Sequence, residues 1–266
     1  VTFGYDYSGC HVVVTGGSRG VGLAIARAFA EFGADVTVTG THFVAAYYSA
    51  DLTGLSYRQL ELSDPDQIRA FVQHTPQADV LVNAASARLP GSAVGSERDF
   101  VLQATQLGLA GTLALATKLR GRLASSRIRG GGSVIELPAA RRWHELYAPL
   151  TPAQHAADVR RHAAAFAHHG VRYNAINAQP HLAQDGGQQL SQTPLNLSPL
   201  SQQGPSAWGS GFGGTVTALA GNSRTRAREQ ERLDTEMAAV SLFLASSGAA
   251  GLTGQTLDVH GGIGQI

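Results

Sequence analysis

The sequence has a single cysteine, Cys10, so no internal disulfide can form and nothing points to an oxidising compartment. Cys10 leads into an apolar run and reads as a small buried residue, not a nucleophile. Charge is sparse, at 15% Asp, Glu, Lys and Arg, and the formal net charge of +1 gives no electrostatic case for nucleic acid or an anionic membrane. No uninterrupted apolar stretch is long enough to span a bilayer. Val1 to Gly9 has neither a basic region nor an apolar core of the secretory kind. A cytoplasmic protein is therefore expected. No lysine follows Lys118. What is abundant is glycine, 32 residues, within a composition that is 43% hydrophobic.

The apolar residues are arranged in alternating periods. His11 to Thr15 is a short β-branched run ending in glycines, as a buried parallel strand does. Val21, Ile25, Ala28, Phe29 and Phe32 fall on one helical stripe, and Gly33 is a plausible stop. Val36 to Thr39 and Ser56 to Leu62 read as the next strands. Asp64-Pro65 reads as an N-cap with proline at the first helical position. Asp79 to Asn83 is a fourth strand, Asp99 to Leu119 a long helical segment and Ser133 to Leu137 a fifth strand. Pro152 to His168 predicts a helix, Val171 to Asn177 a sixth strand, the stripe Met237, Val240, Ser241 and Leu244 a last helix, and Gln255 to Val259 a seventh strand. This alternation predicts one α/β domain over residues 1–266, a doubly wound Rossmann-type parallel sheet of about seven strands with helices on both faces. One stretch breaks the pattern. Gln188 to Gly214 is rich in Gln, Ser, Pro and Gly, and a lid or insertion is expected at about 181–231.

Thr15-Gly-Gly-Ser-Arg-Gly-Val-Gly22 joins the first strand to the first helix. Glycine allows a tight turn and close approach of a pyrophosphate, and the helix N-terminus offers free amides to that anion. A glycine-rich run alone is weak; here the strand before it and the amphipathic helix after it supply the confirming context. The spacing resembles the cofactor loop of the short-chain dehydrogenases/reductases. Asn83-Ala-Ala-Ser86, Asp99-Phe100, Gly111-Thr112, Gly132-Ser-Val-Ile135, Gly170-Val-Arg-Tyr-Asn174, Glu236-Met-Ala, Phe243-Leu-Ala and Leu252-Thr-Gly-Gln-Thr-Leu-Asp-Val-His-Gly-Gly262 resemble further blocks of that family, in the family's order.

The resemblance implies an NAD(P)-dependent oxidoreductase acting on a small-molecule ketone or alcohol, assembled with itself or a paralogue as a dimer or tetramer. It places Gly16, Ser18, Arg19, Gly20, Val21, Gly22, Thr41, Glu61, Leu62, Asn83 and Ala84 at the cofactor. A carboxylate at the end of the second strand would favour NAD. Thr39-Gly-Thr-His42 has none, and Arg19 resembles the basic residue that many members place against a 2′-phosphate, so NADP is expected over NAD.

The family's reaction centre uses a tyrosine acid, a lysine that tunes it, a serine on the substrate oxygen and a supporting asparagine. Matching position by position, Ala139 stands for the serine and Gly108 for the asparagine. Tyr147-Ala-Pro-Leu-Thr151 keeps the tyrosine with threonine for lysine, one residue out of register from Asn174; Thr151-Pro-Ala-Gln-His155 puts histidine at the lysine and loses the tyrosine. Tyr147 is the candidate acid. A histidine could supply part of the missing charge.

His155, His162, His168 and His169 share one predicted helix, without an acid at metal-ligand spacing, and read as a polar face or subunit contact. His144 and Glu145 read as loop surface, with a catalytic role as the alternative. Arg141-Arg142 and Arg224-Thr-Arg-Ala-Arg228 read as solvated charge. Three functions stay open: a reductase with an atypical centre, a non-catalytic subunit paired with an active paralogue, and a non-redox lyase, isomerase or cyclase on the same fold.

Overall fold

The run His11–Thr15 is β1, and its alternating side chains feed both faces of a central sheet. The fold is taken from a computed structural model, which describes residues 5–85, 106–137, 152–178 and 218–260. After β1 the chain enters α1, Gly20–Glu31, which buries Gly22, Ile25, Ala26 and Phe29 at i, i+3, i+4 and i+7. The buried stripe thus centres on Ile25 and Phe29, while Phe32 has passed beyond the last turn and is exposed. Gly33 takes φ +88°, the left-handed conformation that closes a helix and that only glycine adopts without strain.

β2 is Asp35–Gly40 and β3 Ser56–Gln59. The third strand is shorter than its apolar run: the ladder ends as Leu60 N–H donates to Gly40 O, and Leu60 and Leu62 bury their side chains beyond it. α2, Pro65–Gln73, is capped by the Asp64 carboxylate, which accepts from the amides of Asp66 and Gln67, with Pro65 at the first position. β4, Val80–Asn83, leads toward a π-helical turn, Gln106–Gly111, that continues into α3, Thr112–Ala124. Gly108 lies within that turn.

β5 is Ser133–Glu136, α4 Pro152–Ala167 and β6 Arg172–Ala178. The last helix is far longer than the Met237–Leu244 stripe: α5 spans Ala218–Ala245, so its first turns fall inside the 181–231 stretch and carry Arg224 to Arg228. β7, Thr256–Val259, follows. Gln188 to Gly214 lies outside the described residues.

All seven strands are parallel, in the order β3-β2-β1-β4-β5-β6-β7. The order in which strands are added reverses across the sheet between β1 and β4, and a crevice opens at such a switch point, beyond the carboxyl ends of the strands. One face carries α1 and α5, packed on Val12, Val14, Val36, Val38 and Ile135. The other carries Ile68, Phe71, Leu115, Leu119, Val159 and Phe166 of α2, α3 and α4, on Val13, Leu81, Val134 and Tyr173. Each fully buried Leu, Ile or Phe contributes about 1.5–3 kcal/mol. Cys10 is buried, and burial pushes its thiol pKa up, as expected of an inert core residue. No helix among the described residues is long and apolar enough to cross a membrane.

Candidate cofactor site

The glycine loop is shaped by close backbone packing. Gly16 has φ +66°, and a Cβ there would lie 2.7 Å from Ala85 Cα. A Cβ on Gly22 would lie 2.5 Å from Gly16 O, so the helix start can nest under the loop only without one. Thr15 binds the far side: its carbonyl accepts from Ala84 N–H at 3.2 Å and its hydroxyl from Ala85 N–H at 3.3 Å. The segment after β4 is thereby clamped against the loop after β1.

Arg19, in extended backbone, precedes the first turn of α1, and no side chain caps that turn. Its free amides and the positive end of the helix dipole face a cleft of about 350 Å³. The lining includes Gly16, Ser18, Arg19, Gly20, Val21 and Gly22 from the loop, and Thr41, Leu62 and Ala84 from the strand ends. Nine of the expected cofactor positions are therefore brought together. No carboxylate is among the described residues that line the cleft. An open helix start, glycines whose missing Cβ atoms leave the cradle clear, and apolar walls fit a dinucleotide.

Two expected positions lie elsewhere. The Glu61 carboxylate accepts from Ser63 N–H at 3.3 Å and Ser63 Oγ at 3.0 Å, bracing the turn into α2, and is not among the lining residues. Asn83 is buried and not among them either, and its Nδ2 and Oδ1 have no hydrogen-bond partner. The lining also holds groups the sequence pattern did not single out for the cofactor: Thr39, Gly40, Tyr48, Leu60 and Ala85, together with His42. Tyr48 follows a short 3-10 turn, Ala45–Tyr47, and no local periodicity signals that its ring turns inward.

Behind the cleft, Asn83 pairs in register with Thr15 on one side and Glu136 on the other. Glu136 is buried and accepts from Tyr173 Oη at 2.6 Å. Burial raises its pKa, outweighing the opposing pull of Tyr173 and His162. A carboxyl with a raised folded pKa lends stability below its unfolded pKa, and that stability is lost as pH rises through the folded value. Glu136→Gln keeps an acceptor for Tyr173 and has no charge to bury. The variant is expected to gain on the parent as pH rises above about 4.3, by up to about 1.4 kcal/mol per pH unit across the window. Urea midpoints at pH 4 and pH 8 check this; a constant gap between the two proteins would sink it.

The four histidines divide. His168 and His169 follow the end of α4 and are exposed. His155 is buried and His162 half-buried, its ring 5.3 Å from that of Tyr173, so these two face inward and not onto a solvated surface. His155 Nε2 and His162 Nδ1 have no hydrogen-bond partner. Burial lowers the pKa of both rings, so His155 is neutral near pH 7 and does not supply the charge expected of a lysine substitute. No group of three or more His, Cys, Asp or Glu among the described residues could hold a metal. Tyr147, Ala139, Arg141, Arg142, His144, Glu145 and Thr151 lie outside the described residues.

Comparison with known proteins agrees with this geometry. A family model described as enoyl-(acyl carrier protein) reductase matches residues 16–205. An uncharacterized oxidoreductase of Mycobacterium tuberculosis is 29% identical, over 94% of this chain and 90% of its own length. A D-threitol dehydrogenase of Mycolicibacterium smegmatis is 25% identical, over 98% and 95%. A solved short chain dehydrogenase/reductase family protein is 26% identical with a TM-score of 0.65, covering 97% of this chain and 98% of that one. With the parallel seven-stranded sheet and the glycine loop at its switch point, these matches establish that the chain belongs to the short-chain dehydrogenase/reductase family of oxidoreductases.

Proposed function

We propose that the protein binds NADP(H) in the cleft above the glycine loop and interconverts a ketone and an alcohol. The observation that carries this reading is the cleft itself: an uncapped helix start, Arg19 beside it, and no carboxylate among the lining residues. Gly16 to Gly22 and the first amides of α1 would hold the pyrophosphate. Leu60, Leu62, Ala84 and Ala85 bound the adenosine end. Arg19, Thr41 and His42 stand where a 2′-phosphate is held, and a guanidinium pairs with phosphate through two parallel donors. The absence of a carboxylate at the end of β2 removes the group that would repel that phosphate and select NAD.

The bound nicotinamide supplies or accepts the hydride. Tyr147 is the proposed acid, giving its proton to the substrate oxygen during reduction and recovering it during oxidation. A ketone or alcohol substrate is consistent with the dehydrogenase relative, and function within a homo- or hetero-oligomer belongs to the same proposal.

A second reading, a subunit that binds cofactor without turnover, is favoured by one feature. His155 is buried with a lowered pKa, so it brings no positive charge to depress that of a tyrosine. One experiment separates the two. Purified protein titrated with NADPH and NADH, followed by fluorescence, is expected to saturate with both and more tightly with NADPH. Absence of binding at millimolar cofactor would overturn both readings. Binding followed by turnover in a carbonyl and alcohol screen, abolished in Tyr147→Phe, selects the enzyme; binding with no turnover selects the subunit.

A further inference from the structure

Tyr48 is the lining residue whose position needs explaining. It sits on the loop between β2 and β3 with two other large aromatics, Phe43 and Tyr47, which are 79% and 70% exposed. Tyr48 instead turns in over the end of β2. A Cβ on Gly40 would collide with the Tyr48 hydroxyl and come within 3.2 Å of Ser18 Oγ, so Gly40 is small because these two groups occupy the space above it. The ring is held from several sides. It packs against His42 at 4.7 Å and Tyr57 at 5.7 Å between centroids, and Tyr57 Oη donates to His42 O at 2.5 Å, pinning the loop.

The surroundings of the Tyr48 hydroxyl are rich in donors. His42 N–H donates to it at 3.3 Å, and the hydroxyls of Ser18, Thr41 and Tyr57 stand close by. Burial works to raise the phenol's pKa, but these donors outweigh it and leave it below the ordinary value. Arg19 lines the same cleft beside Ser18. The His42 amide, the Ser18 and Thr41 hydroxyls and a guanidinium share this part of the cleft, with no carboxylate among the described residues that line it. That is the environment an anion requires, at the place where the adenosine ribose meets the end of β2.

We propose that Tyr48 is the specificity-determining residue of this cleft, its hydroxyl donating to the 2′-phosphate of the adenosine ribose in place of a residue on β2 itself. This rests on the nucleotide reading above and adds a named discriminator to it. Ser18, Thr41 and the His42 amide, which line the cleft beside the Tyr48 hydroxyl, donate to the phosphate oxygens, and Arg19 supplies the balancing charge. A 2′-hydroxyl, lacking the charge, gains little from the same donors.

The test uses the full chain and two probes that contain no nicotinamide, 2′,5′-ADP and 5′-AMP, measured by calorimetry with wild type and Tyr48→Phe. Tyr48 is half-exposed, so loss of its hydroxyl leaves the core intact, and an unchanged circular dichroism spectrum is expected. The variant is expected to bind 2′,5′-ADP on the order of ten-fold more weakly and 5′-AMP within two-fold of wild type. Equal weakening toward both probes would make Tyr48 a strut of the loop and overturn the proposal while leaving nucleotide binding in place. No change toward either would also overturn it. Failure of wild type to bind either probe would instead remove the nucleotide reading on which it rests.

Discussion

Arg172→Met is expected to lower the stability of the protein by about 3–4 kcal/mol. Arg172 lies on β6 and is 5% exposed. Its guanidinium donates to Gly130 O at 3.2 Å, Ala245 O at 3.0 Å, Ala249 O at 3.1 Å and Leu244 O. Leu244 and Ala245 end α5, where carbonyls have no amide of the next turn to accept from. The cation therefore satisfies carbonyls that the helix leaves without an amide donor, sharing Leu244 O with Ser133 Oγ at 3.3 Å, at the negative end of a helix dipole. Methionine is of similar length, so the loss reads the hydrogen bonds and not a cavity. The removed charge recovers its own cost of burial, which limits the net effect. Arg172→Lys offers one ammonium where a fork is needed and is expected to lose roughly half as much. Urea unfolding followed by circular dichroism measures both. A methionine variant within about 1 kcal/mol of wild type would mean that water reaches these carbonyls and the inference of a dry cap is wrong.

Asp79→Ala is expected to cost a comparable amount, about 3–5 kcal/mol, with a pH signature that Arg172→Met lacks. Asp79 is fully buried immediately before β4. One oxygen accepts from His11 N–H at 2.9 Å and Gln77 Nε2 at 2.7 Å, the other from Ser126 Oγ at 2.7 Å and Arg127 N–H at 3.0 Å. The side chain thus ties the start of β1 to the segment leaving α3. Burial opposes its ionisation, but the four donors outweigh burial and hold its pKa below the ordinary carboxylate value. Its contribution is present above the unfolded pKa of about 3.9 and is lost as pH falls through the lower folded value. The gap between wild type and Asp79→Ala should therefore be full at pH 6 and shrink below about pH 4. A gap independent of pH would show that the carboxylate is not the group responsible.

Much of this molecule was legible along the chain. Val12, Val13 and Val14 are all buried because a parallel strand covered on both faces needs no polar alternation, and such a run followed by glycines has few other readings. The Asp64-Pro65 cap and the Gly33 stop were equally plain, since a cap is set by bonds within a few residues. Nine of the positions expected at the cofactor, on the loop and strand ends, line one cleft for the same reason: a contiguous motif carries its own geometry. The polar assignments made at longer range fared differently. Glu61, read near adenine, is spent on Ser63, and Asn83 neither lines the cleft nor bonds with its side chain. His155 and His162 looked like a polar face by composition, yet they occupy the inward stripe with Val159, Ala163 and Phe166.

The sequence by itself determined the alternating strand and helix order, the place of the glycine loop, and the lack of an acid at the end of β2. These are properties of contiguous residues, written in periods of two and 3.6 and in glycine's backbone freedom. Only the tertiary structure decided that Tyr48 closes over Gly40, that Glu136 meets Tyr173, that Asp79 gathers four donors, and that Arg172 ends a helix on the far side of the sheet. Each joins groups whose separation in the chain bears no relation to the turn or pleat that holds them. Their meeting is set by the packing of whole elements, and burial then fixes which charges survive and which donors find a partner.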